Sequence, residues 1–228
     1  LDVATKAPFL HLATPCYGGQ AHVVYMRSLL DLRPACQARG VSLWPDLGGG
    51  EALIGRGRGS YLMKFLRSEA THLLFVDADV GFSPDAVFRL LDSGRDVIGG
   101  AYPRKAQMTA ALRNGELALE LDPLGDEAAD ADGLRRVAAV GAGFLMISRP
   151  AAQRLLDAYP HLLAKLSDVQ GAADGGALMV FDSFVEPETG RYLNDWQAFG
   201  RRWRDLGGEV WVDTRAGLTH IGDVALTP

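Results

Sequence analysis

Short apolar runs alternate with amphipathic stretches from Phe9 to Tyr102. Phe9 to Thr14 is a mostly apolar run closed by Pro15 and the Gly18-Gly19 pair, which predicts a strand ending in a turn. From Gln20 to Arg39 the apolar residues Val23, Met26, Leu29, Leu30 and Ala38 recur at helical spacing before Gly40. That predicts a helix with a glycine C-cap, kinked or broken at Pro34. Val41 to Leu47 reads as a second strand, Ala52 to Glu69 as a second helix and Thr71 to Val76 as a third strand. Ser83 and Pro84 mark the start of a helix that runs to Ser93, with serine as N-cap and proline in the first turn. Asp96 to Tyr102 is the fourth strand. The pattern then loosens. Gly115 to Gly133 is acidic and rich in Ala, Gly and Asp, as in a surface hairpin or loop. Arg136 to Ser148 is strand-like but interrupted by Gly141-Ala142-Gly143, and Pro150 opens another helix. Lys165 to Gly176 is polar and contains glycine, the pattern of a mobile loop. Asp195 to Leu206 is helical up to Gly207-Gly208, and Glu209 to Asp213 is a last strand.

The β-α-β-α-β-α-β order predicts an α/β fold with a mostly parallel central sheet flanked by helices, because each parallel pair needs a crossover. Ligands of such sheets bind beyond the carboxyl ends of the strands, which directs attention to the residues after Val76. With no internal repeat and no long linker, residues 1–228 are expected to form a single domain.

Composition narrows the class. A chain of 228 residues, 48% hydrophobic and 22% charged, is neither disordered nor collagen-like nor a coiled coil. The net charge of -5 argues against nucleic acid as a partner through a basic surface, while leaving local arginines and backbone amides able to bind anions. Cys16 and Cys36 make neither a disulfide framework nor a zinc pattern, as expected of a cytoplasmic protein. No apolar run approaches the ~20 residues of a membrane span, so a transmembrane segment is not expected and peripheral membrane association is left open. The chain opens at Leu1-Asp2-Val3 without an initiator Met or a signal-peptide pattern, so upstream residues are expected.

Leu73-Leu74-Phe75-Val76-Asp77-Ala78-Asp79 is the most informative segment. A buried strand delivers two carboxylates, one residue apart, to the ligand-binding edge of the sheet. Like charges in a partly dry site repel unless a cation or proton compensates them. Mg²⁺ or Mn²⁺ does this with one or two protein carboxylates, phosphate oxygens and water. A solvated or N-capping acidic turn is the structural alternative.

The segment resembles the D-x-D motif of GT-A-fold glycosyltransferases, in particular bacterial family-2-like members. Similar context surrounds it: Gly81-Phe82-Ser83-Pro84, then Asp96-Val97-Ile98-Gly99-Gly100-Ala101-Tyr102-Pro103, then Tyr192-Leu193-Asn194-Asp195 before a helix, then Thr219-His220-Ile221-Gly222. The resemblance covers Phe9 to Gly222. It implies a Rossmann-like nucleotide-sugar-binding half over 9–105 and an acceptor or catalytic half over 134–222. It also implies a hexosyltransferase that moves a sugar from a nucleotide-diphosphate donor, a UDP- or GDP-sugar, to a hydroxyl of a glycan or other acceptor.

Carried over position by position, Asp79 is the direct metal ligand and Asp77 binds the ribose or reaches the metal through water. Ala78 lies between them against the nucleotide, and His220 is a further metal ligand. Asp195 matches the second acid of the family's E-D motif and becomes the base that deprotonates the acceptor. Asn194 stands where the first acid is expected. The alternative for Asn194 and Asp195 is an N-cap of the following helix. Arg56 or Arg58 matches an arginine that contacts the nucleotide, a role suited to its planar fork, although the glycines of Gly55-Arg56-Gly57-Arg58-Gly59 depart from the family pattern. Thr14 and Tyr17 follow the first strand, where the base and ribose are held. Gly143 and Phe144 match a stretch lining the sugar and acceptor cleft, with a bulged strand as the plain alternative. Trp203 and Trp211 are expected in the core, Trp196 beside Asp195 is an acceptor contact, and Lys105 is within reach of a phosphate.

Two other functions fit parts of the same sequence. Leu73 to Val80 fits the signature of haloacid-dehalogenase-type phosphatases, and Gly125-Asp126-Glu127-Ala128-Ala129-Asp130 fits their second motif. Against this, two strand-helix units precede Asp77, and the second motif sits in an acidic loop. Asn194 in place of an acid also suits a nucleotide-sugar-binding module without catalysis.

Overall fold

A computed structural model describes residues 7–105, 118–166 and 176–222. Most of the loop expected over Lys165 to Gly176, and the start of the hairpin expected from Gly115, lie outside the described residues. The chain begins with β1 (Phe9–Cys16), α1 (Val23–Ala38), β2 (Ser42–Gly49), α2 (Ile54–Arg67), β3 (His72–Val76), β4 (Val80–Gly81), α3 (Pro84–Asp92) and β5 (Val97–Gly100). It continues through β6 (Leu121–Pro123), β7 (Leu134–Val140), β8 (Phe144–Ser148), α4 (Arg149–Ala158), β9 (Leu163–Ala164) and β10 (Ala177–Leu178). It closes with β11 (Phe184–Val185), β12 (Tyr192–Leu193), α5 (Asp195–Asp205), β13 (Val210–Asp213) and β14 (Thr219–His220). Ser83 accepts a hydrogen bond from Ala86 N as the N-cap of α3, with Pro84 in its first turn. Helix α1 runs through Pro34 without a break, with the proline on its exposed side.

The central sheet has eight strands in the order β2-β1-β3-β8-β5-β13-β7-β6. β2, β1 and β3 run parallel, as do β5 and β13, but β8 is antiparallel to both β3 and β5, and β7 to both β13 and β6. The sheet is therefore mixed, which corrects the expectation of a mostly parallel one. The β3-α3-β5 crossover does orient β3 and β5 alike, yet it leaves a one-strand gap that β8 fills from later in the chain. The Gly141-Ala142-Gly143 break is what separates β7 from β8, and the two strands take places on either side of β5 and β13.

Strand alternation divides the core between the two faces of the sheet. Leu73 and Phe75 of β3 face one cluster, under α2, α4 and α5, with Leu62, Phe65, Leu155, Phe199 and Trp203. Leu74 and Val76 face the other, under α1 and α3, with Tyr25, Leu32, Val87 and Leu90. Helix α2 packs unusually closely on the chain around β10: a Cβ at Gly59 would lie 2.6 Å from Leu178 O, and one at Gly55 2.8 Å from Phe181 O. The glycine spacing that departs from the family pattern thus lets this helix lie against main chain. Among the described residues no helix is long and apolar enough to cross a membrane.

Candidate functional site

Asp77-Ala78-Asp79 forms a turn at the carboxyl end of β3 that is anchored by main chain from several directions. Asp77 N donates to Gly143 O at 3.0 Å, His22 N to Ala78 O at 2.7 Å, and Ile221 N to Asp79 O at 3.1 Å. The short antiparallel pair β4–β14 sets His220 opposite Val80. Beside the turn lies a cleft of about 440 Å³, walled by Pro15, Tyr17 and His22 around the β1–α1 loop, by Ile54 at the start of α2, and by Asp77, Ala78, Asp79 and Lys105. Sheet architecture puts ligands at this edge, and the cleft is there.

Asp79 sits between two nitrogen groups. His220 Nδ1 is 2.7 Å from Pro103 O, and because a carbonyl only accepts, Nδ1 carries the proton. That leaves Nε2 turned toward Asp79 Oδ1, 3.6 Å away. The Tyr102 ring meets the imidazole edge-on at 5.0 Å between centroids and helps hold its plane. On the other carboxylate oxygen, Oδ2, rests the ammonium of Lys105. Among the described residues no group of three or more His, Cys, Asp and Glu side chains comes together as a metal cage. Asp79 and His220 supply one oxygen and one oriented nitrogen, which fits an ion that takes its remaining ligands from water and phosphate rather than from protein.

Asp77 belongs to a second, buried network. Arg58 of α2, 3% exposed, donates to Asp77 Oδ1 at 2.9 Å and, through its other amino group, to Asp195 at the start of α5. Burial pulls the guanidinium pKa down, and the two carboxylates more than restore it, leaving it above its ordinary value. The Tyr102 hydroxyl accepts from Gly143 N at 2.9 Å. Burial, with the Asp77 charge beside it, pushes that hydroxyl far above a normal phenol, so it stays protonated. Gly143 is required here by space: a Cβ would meet Tyr102 Oη at 2.7 Å and Asp77 Oδ2 at 2.8 Å. Glu120, bridged through its main chain to Tyr102 and Gly141, is half-buried. Burial lifts its carboxyl above the usual range against the pull of Arg104 and His220.

The other residues singled out by sequence fall in varied places. Tyr17 is 74% exposed at the cleft wall, where a flat ligand could stack on it. Thr14 is buried and hydrogen-bonded to Tyr25 Oη at 2.7 Å, beneath the cleft rather than facing it. Arg56 is held by Glu51, with Nε 2.7 Å from Oε2 and Nη2 3.1 Å from Oε1. Asn194 caps α5 in a capping box with Gln197, so its amide oxygen is occupied by main chain. Trp196 and Phe144 are buried in the two core clusters, and Phe144 packs on Phe82. The sequence reading missed His22, Tyr102 and Glu120 as members of this region. The Gly141-x-Gly143 spacing does signal a bulky neighbour near Tyr102, but no local pattern marks Glu120.

No protein-family model matches the chain, and no curated protein matches it in sequence. Among solved structures, A197 from STIV superposes with a TM-score of 0.53 at 14% identity, over 95% of this chain and 86% of that one. This is a likeness of fold alone. The inositol-1-phosphate CTP transferase from T. maritima gives a TM-score of 0.44 at 9% identity over 94% of this chain and 89% of that one. A glycosyltransferase involved in the glycosylation of the major capsid of PBCV-1 gives 0.35 at 9% identity, over 64% and 63%. At these values the last two likenesses say nothing about activity. Fold and site together define an α/β protein with a mixed sheet whose acidic turn borders a cleft at the carboxyl end of β3.

Proposed function

We propose that the chain is a glycosyltransferase of the GT-A type, moving a sugar from a UDP- or GDP-sugar to a hydroxyl of a glycan or other acceptor with Mn²⁺ or Mg²⁺ as cofactor. The observation that carries this is the meeting of His220, from late in the chain, with Asp79, which lines a nucleotide-sized cleft. Asp79 and His220 would hold the divalent ion, whose chemistry is to neutralise charge on a leaving diphosphate. Asp77 and the Tyr17 ring would orient the nucleoside. Asp195 would take the proton of the acceptor hydroxyl as its oxygen bonds to the anomeric carbon and the bond from that carbon to the diphosphate breaks. Arg58 pairs with the Asp195 carboxylate and fixes it in place for that transfer.

The phosphatase reading has less support. Asp130 Oδ1 accepts main-chain hydrogen bonds from Asp132 at 3.0 Å and Leu134 at 2.9 Å, and Glu127 pairs with Arg136, so their side chains are engaged by their own loop and the adjoining β7. Calorimetry of UDP and GDP with and without Mn²⁺ tests the proposal. Metal-dependent binding that disappears in Asp79→Ala is expected. Nucleotide binding indifferent to both Mn²⁺ and this substitution would overturn it. Donor binding without turnover in the unaltered chain would favour a binding module, and phosphate release from sugar phosphates without transfer would favour the phosphatase.

A further inference from the structure

Lys105 and His220 are set on Asp79 by one short piece of main chain. The Pro103 carbonyl orients the imbidazole-bearing His220 through Nδ1, and two residues later Lys105 places its ammonium on the opposite carboxylate oxygen. Arg104, between them, is turned to other work: its guanidinium donates to Leu119 O at 2.9 Å and Leu121 O at 3.0 Å. Asp77, the other acid of the turn, already has Arg58. Lys105 is thus the cation committed to Asp79, and its side chain is 41% exposed on the cleft wall.

We propose that Lys105 is a resident counter-cation of Asp79 that gives up the carboxylate when a divalent ion binds and then pairs with the diphosphate arriving in the cleft; this rests on the glycosyltransferase reading. An ammonium and a divalent ion repel across one carboxylate, so a cation held at Oδ1 beside His220 loosens Lys105 from Oδ2. Its flexible stem and rotating donors suit a move of this kind better than the planar fork of an arginine. With Asp77 held by Arg58, the nearest demand for positive charge in the loaded cleft is the phosphate itself.

Lys105→Met should therefore have opposite effects on two affinities. Mn²⁺ binding without nucleotide, read from the resonance of free Mn²⁺, should tighten roughly threefold or more, the scale of a partly exposed ion pair. UDP or GDP binding at saturating Mn²⁺, read by calorimetry, should weaken about tenfold or more, the scale of a charge-assisted hydrogen bond. Lys105→Arg should recover much of the second loss. Unchanged Mn²⁺ affinity in Lys105→Met, while Asp79→Ala abolishes it, overturns this inference and leaves the glycosyltransferase reading standing. Mn²⁺ binding that survives Asp79→Ala overturns both.

Discussion

The Arg58 guanidinium joins Asp195 of α5 to Asp77 at the end of β3, with one amino group on each carboxylate. Gly55 and Gly59 of the same helix make this reach available, because they let α2 settle on the main chain at Phe181 and Leu178. A packing feature of one helix thereby connects the carboxylate proposed to serve the donor with the one proposed to serve the acceptor.

Replacing Arg58 with Met leaves both carboxylates without their buried partner. The expected loss is on the order of 3 kcal/mol of folding stability, measured by urea unfolding, because an uncompensated charge costs more than the pair contributes. Arg58→Lys keeps the charge but not the fork, and should fall between the two.

Gly143→Ala drives a methyl group against Tyr102 Oη and Asp77 Oδ2 and should cost about 1–3 kcal/mol. Gly18→Ala is the control: a Cβ there meets nothing within 4 Å, so its melting temperature should match that of the unaltered chain. Equal melting temperatures for all three proteins would show that the crowding at Gly143 is absent in solution.

Asn194→Ala removes the capping box of α5 and should cost about 1 kcal/mol with nucleotide affinity unchanged. A loss of nucleotide or acceptor affinity at unchanged stability would instead place Asn194 against a ligand, the role the family resemblance implies.

Glu120 gives a pH dependence whose sign follows from its raised pKa. Between the ordinary glutamate value and the raised one, the folded state binds more protons than the unfolded state, so this group erodes stability as pH rises through that window. Glu120→Gln should flatten the fall in melting temperature from acid toward neutral pH and melt higher than the unaltered chain at pH 7. A parallel pair of pH curves would contradict the raised value.

Much was legible along the chain itself. The alternation within β3, the Ser83-Pro84 start of α3, and the delivery of Asp77 and Asp79 to a strand end all depend on residues a few positions apart, where backbone geometry and hydrophobic period act. The capping role of Asn194 was equally local and stood as an alternative for that reason. What tertiary structure decided was adjacency: β8 entering between β3 and β5, the Arg58–Asp195 pair across 137 residues, His220 oriented by Pro103 across 117, and Lys105 on Asp79. Strand order and ion pairing depend on which surfaces meet once the core has closed. No pattern of neighbouring residues carries that information, since the chain entropy spent in joining distant segments is recovered only by the packing of the whole sheet.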